Sequence, residues 1–177
     1  MNRKTEKTSC EVEQFRRAAI RGDACGQYEL GICYAIGNGV ERDEKKALFW
    51  YQKAAEQGHA GSQYEVGSAL LEDCKNNRIL LAEAIGWLQK SAAQGCLQAE
   101  KQLARHYWGL WFAERQNSGY QSNETSDNYC AEWLYWLNRA ALHGDAESKH
   151  MVGTMYFEGV IVEKDKKKGL ELIVESA

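Results

Sequence analysis

Proline is missing from all 177 residues, so no helix is kinked or stopped by its ring, and chain reversals fall to the 16 glycines. Long apolar runs are missing too. None approaches the roughly 20 residues that span a bilayer, so no membrane insertion is expected. Neither sign of charge dominates: 22 Lys and Arg stand against 25 Asp and Glu, a net charge of −3. That balance gives no bulk attraction to nucleic acid, and no nucleic-acid partner is expected. The six cysteines, Cys10, Cys25, Cys33, Cys74, Cys96 and Cys130, include no C-x-x-C pair. A disulfide framework or zinc site is disfavoured, and free, mostly buried thiols in a reducing cytosol are expected. The opening MNRKTEKTSCEVEQF has no hydrophobic signal segment, which points to a cytoplasmic location.

Chemistry-bearing patterns are equally scarce. No Ser-His-Asp or Cys-His arrangement and no glycine-rich phosphate loop can be built. His59 and His143 fall at expected turns, where a polar residue needs no special reason. His143 and His150 lie seven apart with no further metal ligand in register, and His106 stands alone. The expectation is a non-enzyme, with no catalytic residues, no cofactor and no metal.

What is present is a repeat. FRRAAIRGDACGQYELG, YQKAAEQGHAGSQYEVG, LQKSAAQGCLQAEKQLA and WLNRAALHGDAESKHMVG are four copies of one pattern. Their glycines Gly22, Gly58, Gly95 and Gly144 are spaced 36, 37 and 49 residues apart, the last being one period plus an insertion. A period near 36 with helical patterning reads as stacked helical hairpins. The glycines then sit just past helix ends, where the chain turns with positive φ. Each first helix carries a small step, Leu30-Gly31, Val66-Gly67, Leu103-Ala104 and Val152-Gly153, and then a bulky Tyr34, Leu70, Tyr107 or Tyr156. Glycine in mid-helix costs about 1 kcal/mol relative to alanine, so its return implies close helix approach. Each second helix carries a bulky pair and small residues one turn on: Trp50-Tyr51 with Ala54-Ala55, Trp87-Leu88 with Ser91-Ala92, Trp136-Leu137 with Ala140-Ala141, and Leu172-Ile173 with Ser176-Ala177. Phe15 with Ala18-Ala19 supplies an N-terminal half-unit. Asp43 and Asp165 are expected N-caps of lysine-rich second helices, and Val40 and Val160 are expected to plug the seam after each loop.

Residues 24–40 and 43–58 resemble the Sel1-like repeat family, a relative of the tetratricopeptide repeats. The family pattern A-x-x-Q-x-x-L-G-x-x-Y-x-x-G-x-G-V is carried by Ala24, Gln27, Leu30-Gly31, Tyr34, Gly37, Gly39 and Val40. D-x-x-K-A-x-x-W-Y-x-K-A-A-x-x-G is carried by Asp43, Lys46-Ala47, Trp50-Tyr51, Lys53-Ala54-Ala55 and Gly58. The second copy has Leu70 for the tyrosine and lacks G-x-G-V, and the third has a long polar segment in place of a short loop. The resemblance implies an all-α fold, a right-handed α/α superhelix or solenoid of about four hairpins over residues 11–177. Residues 1–10 are expected to form a flexible N-terminus and residues 114–128 a loop insertion.

The resemblance further implies that first helices line a concave face used to bind proteins. On that register the partner-binding candidates are Tyr28, Ile32, Tyr64, Ser68, Lys101, Arg105, Trp108, Trp111, Glu147, His150 and Thr154. Tyr, Trp and Arg are the types that dominate binding hot spots. YWGLWFAERQ is too aromatic for one helix face, so part of it should meet the insertion or a partner. The expected function is a protein-interaction adaptor. The alternative is a bacterial immunity protein that neutralises a cognate toxin. An open C-terminal end with Leu170, Leu172 and Ile173 leaves self-association as a further expectation.

Overall fold

The computed structural model describes residues 9–74, 77–119, 121 and 123–176. Most of the expected N-terminal tail, residues 1–8, lies outside them. The described residues form helices and no strands: α1 (Ser9–Ile20), α2 (Ala24–Ile36), α3 (Glu44–Glu56), α4 (Ala60–Asp73), α5 (Arg78–Ala93), α6 (Leu97–Asn117), α7 (Glu124–Leu142), α8 (Ala146–Glu158) and α9 (Lys166–Glu175). The pairs α2/α3, α4/α5, α6/α7 and α8/α9 are antiparallel hairpins. The chain divides into two compact units, Met1–Cys96 and Leu97–Ala177.

Gly22, Gly58, Gly95 and Gly144 all take the left-handed conformation, with φ of 91°, 92°, 83° and 91°. Side chains cap the helices that follow Gly22, Gly58 and Gly144, and also α3 and α9. Asp23, Asp43, Asp145 and Asp165 each accept a hydrogen bond from the backbone N–H three residues on. His59 plays that part for α4, its Nδ1 accepting from the Ser62 N–H at 3.2 Å. The turn histidine is therefore a cap, not a bystander.

The small steps are contact points. A Cβ added to Gly67 would lie 2.8 Å from Leu88 Cγ and 3.1 Å from the Ala84 carbonyl oxygen. At Gly153 it would meet the Gly169 carbonyl oxygen at 2.9 Å, and at Gly31 the Tyr51 ring at 2.5 Å. Close approach is thus real, with a ring rather than a backbone as the neighbour at Gly31. The lysines after Asp43 and Asp165 have a packing role: Lys46 lies 5.5 Å from the Tyr34 ring centre and Lys168 3.9 Å from that of Tyr156.

Three expectations need correction. The long loop over 114–128 is mostly helix. Only residues 118–123 separate α6 from α7, because Asn123 and Ser126 form a reciprocal capping box that starts α7 early. The thiols are not mostly buried: Cys33 is, but Cys10 and Cys25 are exposed and the other three half-buried. Finally, Val40 packs on the core cluster of Val12, Leu30 and Cys33 as expected, but Val160 is 51% exposed.

Candidate functional site

Unit Leu97–Ala177 holds an open groove of about 910 Å³. Trp108 of α6, Trp133 of α7 and Met151 of α8 line it, as do Met155, Ile173 and the loop residues Val160 and Ile161. A smaller cavity of about 280 Å³ shares Trp108, Trp133, Glu147 and Met151, and adds Lys101 and Arg105. Six candidates from the sequence therefore come together: Lys101, Arg105, Trp108, Glu147, His150 and Thr154.

Trp108 stacks on Phe112 with centres 5.3 Å apart and planes 7° from parallel. The rings are one helical turn apart on α6, and 43% and 41% exposed. Exposed stacked rings beside a groove supply rigid apolar contact area at little entropic cost. Trp111 points elsewhere: it stacks on Trp133 at 5.5 Å, with Arg115 over its face at 5.2 Å, and does not line the groove.

Ion pairs hold these helices. Lys101 Nζ donates to Asp145 Oδ1 at 2.7 Å and to Glu147 Oε2 at 3.4 Å, tying α6 to the start of α8. The hydrogen bond to Asp145 holds the Lys101 ammonium above its usual range, against a smaller opposing effect of burial. Next to Lys101 on α6 lies a residue that motif reading passed over. Glu100 is completely buried, with Arg139 Nε 2.9 Å from Oε1 and His143 Nδ1 2.7 Å from Oε2. Gln27 and Gln63 hold the matching places in earlier copies, where Gln57 and Gln94 donate to them at 2.8 and 2.9 Å.

The candidates in unit Met1–Cys96 pack differently. Tyr28 lies 5.8 Å from Tyr51 and 4.5 Å from His59, and its ring lies 3.0 Å from where a Cβ on Gly61 would stand. Burial, then the neighbouring Glu65, pushes the Tyr28 hydroxyl up. Tyr28 and Ile32 both pack against the core of Ala47, Tyr51, Ala55 and Val66. Tyr64 is half-buried, and the Ser68 hydroxyl is buried with no hydrogen-bond partner among the described residues. No group of three His, Cys, Asp or Glu among the described residues is placed to hold a metal ion, and no described helix is long and apolar enough to cross a membrane.

The Sel1 repeat model matches residues 26–59, 60–96, 134–145 and 146–177, more than half of the chain. The chain belongs to the Sel1 repeat family. It is 30% identical over 150 residues, 85% of its length, to a sel1-like repeat-containing protein of Acanthamoeba polyphaga mimivirus. Over 145 residues, 78% of its length, it is 27% identical to chitin synthase regulatory factor 3 of Schizosaccharomyces pombe. It spans 24% and 14% of those two proteins. Among solved structures, a Sel1 repeat protein from Oxalobacter formigenes matches 95% of this chain and 63% of its own, with a TM-score of 0.73 and 23% identity. Immunity protein Pa5087 from Pseudomonas aeruginosa matches 93% of this chain and 56% of its own, with a TM-score of 0.52 and 24% identity. The fold is thus the α/α solenoid of Sel1 repeats, and such repeats are protein-interaction modules.

Within the Sel1 repeats of this chain, two hairpin loops share one pattern of left-handed residues and hydrogen bonds. Gly37 and Gly159 end their helices with φ of 71° and 75°. Asn38 and Val160 donate to the carbonyls of Cys33 and Met155, and Asp43 and Asp165 to those of Tyr34 and Tyr156. Val40 therefore corresponds to Val162, not to Val160, and Gly39 corresponds to Ile161. Gly39 has φ of 72° and Ile161 has 71°, the only described non-glycine with positive φ.

Proposed function

We propose that this chain is a non-catalytic interaction module of the cytoplasm that binds a partner protein through the groove of α6, α7 and α8. The observation that carries this reading is the exposed Trp108–Phe112 stack beside an apolar groove. Lys101, Arg105, Glu147, His150 and Thr154 supply its polar margin. The absence of disulfides among the six cysteines suits a reducing compartment. A second reading, a bacterial immunity protein bound to a cognate toxin, has the shared fold of an immunity protein behind it.

The test is capture of partners from the native host with the tagged full-length chain, with Trp108→Ala as control and affinities measured by calorimetry. Trp108→Ala is expected to weaken binding by about 30-fold or more, the scale of a hot-spot residue, with helicity unchanged. Undiminished affinity would sink the groove assignment. One stoichiometric partner with a toxic enzymatic activity would favour the immunity reading, and several partners from one pathway the adaptor reading.

A further inference from the structure

Apart from the conservative Arg42-to-Lys164 change, the loop closing the fourth hairpin differs from its counterpart at two adjacent positions. Asn38-Gly39 becomes Val160-Ile161, while length, flanking glycine and hydrogen bonds are retained. Positive φ suits glycine and is an outlier for a β-branched residue. The side chains gained are only partly covered, Val160 being 51% and Ile161 41% exposed. Both line the groove that Trp108 also lines. A strained backbone that presents apolar surface to solvent gains nothing for folding, and such strain gathers at ligand clamps.

Charge narrows the ligand. The larger groove is lined by Glu147 and Glu158 and by no Lys or Arg. The cations Lys101, held by Asp145 and Glu147, and Arg105 line only the adjoining cavity, whereas Glu158 lines only the larger groove. At the Glu158 end, an apolar bed with a carboxylate at its margin suits an apolar residue next to a cation and disfavours an acidic segment.

Resting on the groove reading above, we infer that the Val160-Ile161 tip clamps an apolar anchor residue of a linear partner peptide against Trp108, with a neighbouring Lys or Arg of the peptide paired to Glu158. A groove of about 910 Å³ has room for an anchor side chain and its neighbours.

A phage-displayed library of random peptides, selected on the immobilised full-length protein, supplies the probe. The consensus peptide is then titrated by fluorescence anisotropy. Enrichment of an aliphatic or aromatic residue beside Lys or Arg is expected. Ile161→Gly is expected to weaken that peptide about tenfold or more while Tm holds or rises, because glycine relieves the strain. Glu158→Lys is expected to shift selection toward acidic neighbours. Peptides that need Trp108 but show no apolar–basic pair, or that bind Ile161→Gly unchanged, would overturn the tip assignment and leave the groove reading standing. Failure to enrich any peptide sensitive to Trp108→Ala would overturn both. A concentration-dependent dimer in sedimentation, lost in Ile161→Gly, would give the tip to a second copy of the chain and overturn the peptide.

Discussion

Glu100 stands where two other repeats hold a neutral glutamine. Gln27 both donates to the Ala19 carbonyl at 3.2 Å and accepts from Gln57, so it bridges successive helices without charge. A carboxylate only accepts, and a fully buried one needs a cation and hydrogen-bond donors, which the Arg139 guanidinium and the His143 ring provide. Glu100→Ala is expected to cost about 2–4 kcal/mol in urea unfolding. The lower part of that range is favoured because the Arg139 and His143 side chains are 26% and 42% exposed and regain water. Glu100→Gln, which keeps an acceptor for His143, should cost about 1–2 kcal/mol. His59 gives a pH effect. Burial lowers its pKa below the usual value, and its Nδ1 must stay unprotonated to cap α4. The unfolded chain therefore takes up the proton first. The stability His59 contributes is complete above about pH 6.5 and is lost as pH falls toward its folded value. His106, also lowered by burial, acts in the same direction, whereas Glu65, raised by burial, loses stability as pH rises. His59→Asn keeps a cap acceptor and removes one titration. The difference in Tm between wild type and His59→Asn should grow in favour of the variant from pH 7.5 to 5.5, with the other two groups cancelling.

Helices and turns were the legible part of the sequence, because their signals are local. Positive-φ glycines, aspartate caps and the alternation of large and small residues each act within one or two turns of chain, and the structure has them where the repeat pattern puts them. The insertion was misread because polar composition does not separate a loop from a helix. Glu114, Arg115 and Gln116 are good helix formers that end α6, and Asn123 and Ser126 are a start signal placed inside a stretch that looks loop-like. Half of the candidate site was legible for the same reason: Lys101, Arg105 and Trp108 follow one face of α6. Val160 and Ile161 were missed because the loop was aligned on valine rather than on its left-handed positions. At this scale, glycines of equal helical propensity should part company. Gly31→Ala would bring a Cβ within 2.5 Å of the Tyr51 ring and is expected to cost about 1–3 kcal/mol. Gly86→Ala meets nothing within 4 Å in the middle of α5 and should gain about 0.5–1 kcal/mol. Thermal unfolding of the two variants, followed by circular dichroism, checks the sign of each.

Across the whole molecule the two compact units differ in chemical character. Unit Met1–Cys96 has neutral glutamine rungs and packs Tyr28 onto Tyr51 and His59, while its exposed Phe49 lines no groove found in that unit's described residues. Unit Leu97–Ala177 has a charged rung, two of the longest helices, and aromatic residues left at the surface beside a groove. On the proposed reading, the exposed rings beside the groove and the strained isoleucine carry a cost that a bound ligand offsets. Stability and recognition should therefore separate by unit. Tyr28→Ala removes a half-buried ring from a seam and is expected to destabilise the protein by about 2–3 kcal/mol, with affinity for the captured partner unchanged once corrected for the folded fraction. Trp108→Ala should do the reverse, changing stability by less than about 1 kcal/mol while binding falls. Urea unfolding and calorimetric titration on the same two preparations read both quantities. Loss of affinity in folded Tyr28→Ala would extend the binding surface onto unit Met1–Cys96 and end the assignment of recognition to one unit.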